Sequence, residues 1–138
     1  MKKLTFLTLI LSMFLFINAN AQEKKVVETR GQKVEATRGA DPNIKTPKPA
    51  NDENIVPKPA DTEYRSGECK IWIDNNTGYS IDIYVDGNYK GTIAAWETKH
   101  TWAISGRTKL YGKSIGGTTS WGPIYFDCGD IYTWHLHN

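Results

Sequence analysis

His135 and His137 lie two residues apart near the C-terminus, and His100 is the third histidine of the chain. On a strand, residues i and i+2 project to one face, so both imidazoles can approach one ion. His100 would be a third ligand if its strand lay alongside. The competing reading is a polar solvent face on a last strand. With no Cys or carboxylate placed beside the pair, no metal site is assigned. The acids of the C-terminal half are Glu68, Asp74, Asp82, Asp86, Glu97, Asp127 and Asp130. Glycoside hydrolysis needs two carboxylates at a set separation, and nothing in this spacing selects two of the seven. Asp86 and Asp130 adjoin glycine and read as turn formers. Nucleophilic catalysis needs a Ser or Cys with a His and an orienting group. Gly116-Gly117 lacks the strand-to-helix context of a phosphate loop. The expectation is no enzyme, no catalytic residues and no cofactor, with a small secreted hydrolase as an alternative.

Aromatic residues offer more. All five Trp, six of the seven Tyr and Phe126 lie between residues 67 and 138. Alternation predicts a core of Ile71, Ile73, Ile81, Ile83, Val85, Ile93, Trp102, Ile104, Leu110, Ile124, Phe126, Trp134 and Leu136. Trp72, Tyr84, Tyr111, Trp121 and Tyr125 remain on the opposite parity, and Trp96 falls in a turn. Flat rings exposed on a rigid β-scaffold stack on the apolar faces of sugars or peptides. These five are the candidate ligand-binding residues, and the partner would be a glycan or an envelope protein. The alternative is cross-strand pairing, worth ~0.2–1 kcal/mol per pair, or burial against a second copy.

The elements that must hold these rings are strands. Cys69, Ile71 and Ile73 alternate with Lys70, Trp72 and Asp74, and Ile81, Ile83 and Val85 alternate with Asp82, Tyr84 and Asp86. Asn75-Asn76-Thr77-Gly78 is a turn cluster, and Asp86-Gly87 supplies the positive backbone angles of a tight hairpin before a strand over 89–94. Four more strands are expected over 99–104, 108–115, 120–128 and 131–137. Seven short strands give an all-β fold, a small antiparallel, meander-like β-sandwich over 67–138, or a small barrel. Cys69 shares parity with Ile71, and Cys128 with Ile124 and Phe126. Both thiols therefore face one interior, and a Cys69–Cys128 disulfide is expected.

Residues 22–66 differ in kind. They contain no Trp, Phe, Leu or Cys, one aromatic (Tyr64), and five of the six prolines. Such a stretch buries too little apolar surface to offset its ordering entropy, which predicts a disordered, partly extended tether. Thr29-Arg30-Gly31 recurs as Thr37-Arg38-Gly39, and Pro47-Lys48-Pro49-Ala50 recurs as Pro57-Lys58-Pro59-Ala60.

Lys2 and Lys3, an apolar run from Leu4 to Ile17, and Ala19-Asn20-Ala21 make up a signal peptide over 1–21. The run is shorter than the ~20 residues of a membrane-spanning helix. Of 17 Lys and Arg, Lys2 and Lys3 leave with the leader, so 15 face 15 Asp and Glu in the mature chain. A neutral chain lacks the clustered positive charge that nucleic acid or an anionic membrane surface selects. The protein is expected to be secreted or periplasmic, with no nucleic acid and no membrane insertion after cleavage.

Ile83-Tyr84-Val85-Asp86-Gly87, then Gly91-Thr92, and Ile104-Ser105-Gly106-Arg107-Thr108-Lys109-Leu110 resemble PEGA-type repeats over about residues 80–115. The chain lacks a Pro after Gly91-Thr92 and adds its Trp content and cysteine pair. The resemblance implies a non-catalytic β-sandwich module of bacterial envelope proteins and carries over no functional residues. The resulting expectation is an exported binding module recognising glycan or peptide through an outer aromatic face. The alternative is a structural or self-assembling envelope protein with no small ligand.

Overall fold

Strands form where period-two alternation runs. The computed structural model describes residues 25–35, 39–50, 67–129 and 131–138. The seven expected strands are β3 (Glu68–Asn75), β4 (Ile81–Val85), β5 (Asn88–Ile93), β6 (Thr98–Ile104), β7 (Gly106–Ser114), β8 (Thr119–Cys128) and β9 (Ile131–His137). Upstream lie β1 (Lys25–Arg30) and β2 (Gln32–Lys33). The fold is all-β, with a four-stranded sheet ordered β1-β9-β3-β6 and a five-stranded sheet ordered β2-β8-β7-β4-β5.

The connectivity departs from a meander. β4–β5 and β7–β8 are hairpins, but β3 pairs with β6 antiparallel and with β9 in parallel, and β1 joins β9 in parallel. The chain crosses between sheets after β1, β2, β3, β5, β6 and β8, so residues distant in sequence become neighbours in the four-stranded sheet. Alternation identifies strands and is silent on their partners. The Asp86-Gly87 turn has φ of 53° and 85°, the left-handed pair that a two-residue hairpin demands. Buried Asn75 shapes the β3–β4 connection: its Nδ2 donates to the Tyr79 and Ala94 carbonyls, and its Oδ1 accepts from the Thr77 N–H and hydroxyl.

The core lies between the sheets and holds Ile71, Ile73, Ile81, Ile83, Val85, Ile93, Leu110, Trp134 and Leu136 as expected, with Ile124 and Phe126 packed against it. Cys69 and Cys128 are bonded and buried, Cα atoms 5.7 Å apart, tying β3 of one sheet to β8 of the other. Two core expectations are corrected. Cys69 pairs with Ala103, which turns Ala103, Thr101 and Lys99 inward and places Trp102 and Ile104 on the outer face. Ile104 is 80% exposed. The small Ala103 fits beside the disulfide, a selection by size that hydrophobicity conceals.

A tether over all of 22–66 is also corrected. Residues 25–33 form β1 and β2, and residues 39–50 dock on the five-stranded sheet. β1 docks because Val27 packs on the core and Thr29 Oγ1 accepts from the buried Trp134 Nε1 at 2.8 Å. A buried indole N–H needs such a partner. The signal peptide over 1–21 and residues 22–24, 36–38 and 51–66 of the tether lie outside the described residues. Among the described residues no helix is long and apolar enough to cross a membrane.

Candidate functional site

The five aromatic residues expected on one open face go to three places. Trp121 is in the core at 0% exposure. Its parity is reversed by a bulge: Leu110 opposes Ile124, but Gly112 opposes Trp121, so β8 carries one residue more than β7 between those pairs. Gly122 makes the bulge possible. It has φ of +90°, and a Cβ there would lie 2.8 Å from the Leu110 carbonyl oxygen. Trp121 Nε1 donates to the His137 carbonyl at 2.8 Å. Tyr84, Tyr111 and Tyr125 are on the outer face of the five-stranded sheet. Tyr125 is 58% exposed, its ring 5.6 Å from the Arg107 guanidinium. Trp72 alone is on the outer face of the four-stranded sheet.

Tyr84 and Tyr111 face outward and are nonetheless buried, at 4% and 3% exposure. Tyr84 lies 6.2 Å from Tyr111 and edge-on to Tyr89 at 5.8 Å. Residues 39–50 dock beside them. Asp41 Oδ2 accepts from the Tyr111 hydroxyl (2.8 Å) and from Lys113 Nζ (3.1 Å). The Lys45 and Thr46 N–H groups donate to the Gly87 carbonyl, and Tyr89 N–H donates back to Thr46. Lys48 Nζ donates to Thr92 Oγ1 at 3.1 Å and to Asp82 at 3.5 Å, 5.9 Å from the Tyr89 ring. Burial pushes the Asp41 carboxyl up, but hydrogen bonds from the Asn43 N–H, Tyr111 and Lys113 outweigh it and hold the group below its ordinary value. Burial, then the Asp41 carboxylate, drive the Tyr111 phenol far above its ordinary value.

The outer face of the four-stranded sheet carries a second aromatic set. Trp72 and His100 oppose each other across β3 and β6, as do Lys70 and Trp102. The Trp72 and His100 rings are 5.1 Å apart, and His100 meets Trp102 at 6.3 Å and 90°. Lys70 Nζ stands 4.6 Å from the Trp72 ring centroid and 5.5 Å from that of Trp102. All four side chains are partly exposed. Burial and then the Lys70 charge lower the His100 imidazole below its ordinary value. Towards β9, Asp74 Oδ2 meets His135 Nδ1 at 3.1 Å, and the His135 and His137 rings lie nearly parallel at 6.2 Å. Burial raises the Asp74 carboxyl, but hydrogen bonds from Thr98 and Asn76, with the His135 charge, bring it below its ordinary value. Thr133 Oγ1 and His137 Nε2 are buried without a hydrogen-bond partner among the described residues.

The three histidines do not converge. β3 lies between the strand of His100 and that of His135, about 10 Å of sheet. No group of three or more His, Cys, Asp or Glu among the described residues could hold a metal ion. Sequence reasoning missed Lys70, His100 and Trp102 as a group because β6 reads equally well in either parity. The one available signal was that His100 and Trp102 share a parity, so a buried Trp102 would have drawn His100 inward as well.

No protein-family model matches this chain, and comparison with curated proteins and with solved structures returns no match.

Proposed function

We propose that the protein is an exported, non-enzymatic binding module that recognises a glycan through the outer face of its four-stranded sheet. One observation carries the reading: Trp72, His100 and Trp102 form a continuous, partly exposed aromatic strip on regular strands, with the Lys70 ammonium over both indoles. Indoles held by paired strands offer flat apolar surface to the C–H face of a sugar ring at small entropic cost. Lys70, Asp74 and His135 at the margin of the strip supply donors and acceptors for hydroxyl groups, the mixture of apolar wall and few polar groups typical of ligand sites. Both cysteines are held in the disulfide, which leaves no thiol nucleophile, and the likeness of residues 80–115 to envelope modules points the same way.

A glycan array probed with the mature chain and with Trp72→Ala and Trp102→Ala tests this. The mature chain should bind a defined set of glycans, and each variant should lose that binding while destabilising by less than ~1.5 kcal/mol, the sum of a cross-strand pair and a cation–π contact. Unchanged binding in both variants would remove the reading.

A second reading rests on β6, an edge strand ending in Ile104 at 80% exposure. Edge strands of this kind pair with other chains, and the structural, self-assembling alternative predicts dimers that Ile104→Lys dissolves in analytical ultracentrifugation.

A further inference from the structure

Three loops at one end of the sandwich each expose a large apolar side chain. β3, β5 and β7 end there and β4, β6 and β8 begin there, which brings residues 76–80, 94–97 and 115–118 to the same end. The exposed side chains are Tyr79, Trp96 and Ile115. The loops form one hydrogen-bonded unit. The Trp96 N–H donates to the Thr77 carbonyl at 3.3 Å and the Ile115 N–H to the Ser80 carbonyl at 3.0 Å, while the buried Asn75 amide donates to the Tyr79 and Ala94 carbonyls. The Tyr79 ring leans on that of buried Trp121, 5.9 Å away. The frame that presents these side chains is therefore fixed by bonds and not by the side chains themselves.

Trp96 is costly where it stands. It is 70% exposed, and its φ of 60° lies in the left-handed region, which suits glycine and strains a bulky residue. Strained positions held by their surroundings cluster at binding sites. The loops also present no free charge. Glu97 is their one charged residue, and its carboxylate turns back to accept from the Ala94 N–H at 2.8 Å and to pair with Lys99 Nζ at 3.1 Å.

We propose that this end of the sandwich is a peripheral membrane contact, at which Trp96, Tyr79 and Ile115 enter the headgroup layer of a lipid surface without net charge. Indole and phenol rings, apolar in the body and polar at one edge, settle at the boundary between headgroups and hydrocarbon. Between them the loops offer the hydroxyl and amide groups of Asn76, Thr77, Ser80 and Thr118 in place of ions. Neutral loops on a neutral mature chain match an uncharged surface and gain nothing from an anionic one. A second copy matches less well. Two such ends meeting would bury roughly 700 Å², short of the roughly 1,000 Å² that a specific protein interface clears. The Trp72–Trp102 strip lies on a side wall of the sandwich, so the lipid contact is separate from the glycan reading and leaves that strip open.

Co-sedimentation of the full mature chain with phosphatidylcholine vesicles tests the proposal. The chain should partition onto them equally at low and high salt, because no charge attraction is involved, and brominated phosphatidylcholine should quench its tryptophan fluorescence. Trp96→Gly should lower the partition at least tenfold and melt no lower than the unaltered protein, since glycine suits that backbone. Tyr125→Ser, which removes an exposed ring away from this end, should change the partition less than twofold. Three results overturn the proposal: no partition onto phosphatidylcholine, partition that Trp96→Gly leaves intact, or partition that requires an anionic lipid. A lower melting temperature in Trp96→Gly overturns it too, by making the ring part of the fold. Dimers that Trp96→Gly disperses, with no vesicle binding, would overturn it in favour of a second copy.

Discussion

Both outer faces of this sandwich carry aromatic rings on regular strands, yet they are finished differently. On the five-stranded sheet, Tyr84 and Tyr111 lie beside residues 39–50, and Tyr111 hydrogen-bonds into that segment. On the four-stranded sheet, Trp72 and Trp102 have the chain's own Lys70 over their rings and stay partly exposed. Strand parity therefore says only that a side chain points away from the core. Whether it meets solvent depends on what the rest of the chain does. A phenol attracts such a cover because its hydroxyl donates a directed bond to a carboxylate partner, whereas an indole face offers a diffuse attraction to a cation.

The sharpest way to break this comparison is Trp121, which parity counting places on the outside and the bulge places in the core. Trp121→Ala should cost ~3–5 kcal/mol in urea unfolding, the range for emptying a buried aromatic site. A cost below 1 kcal/mol would return Trp121 to the surface and undo the distinction between the faces. Trp72→Ala is the matched control, with the small loss given above.

The next effect belongs to the cover. Asp41→Asn keeps the shape and removes the charge that Tyr111 and Lys113 share, with an expected loss of ~1–2 kcal/mol at neutral pH. The Tyr111 phenol should then titrate closer to its ordinary value in ultraviolet difference spectra. The sign in acid follows from linkage. Asp41 is held below its ordinary value when folded, so its contribution is present above the unfolded value of about 3.9 and is lost as pH falls through the folded one. Unaltered protein should lose its cover there, while Asp41→Asn shows no such step. An identical acid transition in both would mean that the Asp41 charge does not hold the segment, leaving it to the Lys48 contacts and the bonds of Lys45 and Thr46 with Gly87, Asn88 and Tyr89.

Much of the fold was legible because its signals are local. The Asp86-Gly87 turn, the alternation of β3 and β4 and the shared parity of Cys69 and Cys128 each depend on a few adjacent residues. What was not legible depends on partners far away in sequence. β1 is polar, and it is recruited by the N–H of Trp134, 105 residues on. Trp121 changes side because one residue is inserted near Gly122, and no pattern of apolar residues announces an insertion. β6 could be read in either parity, since Lys99, Thr101 and Ala103 look no more like a core than His100, Trp102 and Ile104 look like a surface. The candidate site inherits that ambiguity: Trp72 lies on the outer face its parity predicts, whereas parity puts Trp102 in the core and leaves His100 as a metal-ligand candidate.

The smallest effect tests whether the exposed face is a single electrostatic unit. Burial and the Lys70 ammonium both disfavour a protonated His100, so the folded state keeps that imidazole neutral to lower pH than the unfolded chain does. Its contribution to stability is therefore complete above about 6.5 and declines as pH falls through the folded value. Lys70→Gln removes the charge and leaves most of the burial, so the His100 titration followed by NMR should move up towards its ordinary value. Trp72→Ala should move it in the same direction by admitting water to the ring. The stability change for Lys70→Gln should stay within about 1 kcal/mol, because an exposed cation–π contact is worth no more than that. If His100 titrates identically in the unaltered protein and in Lys70→Gln, Lys70 does not stand over the strip in solution. The face would then be two indoles without a fixed cation.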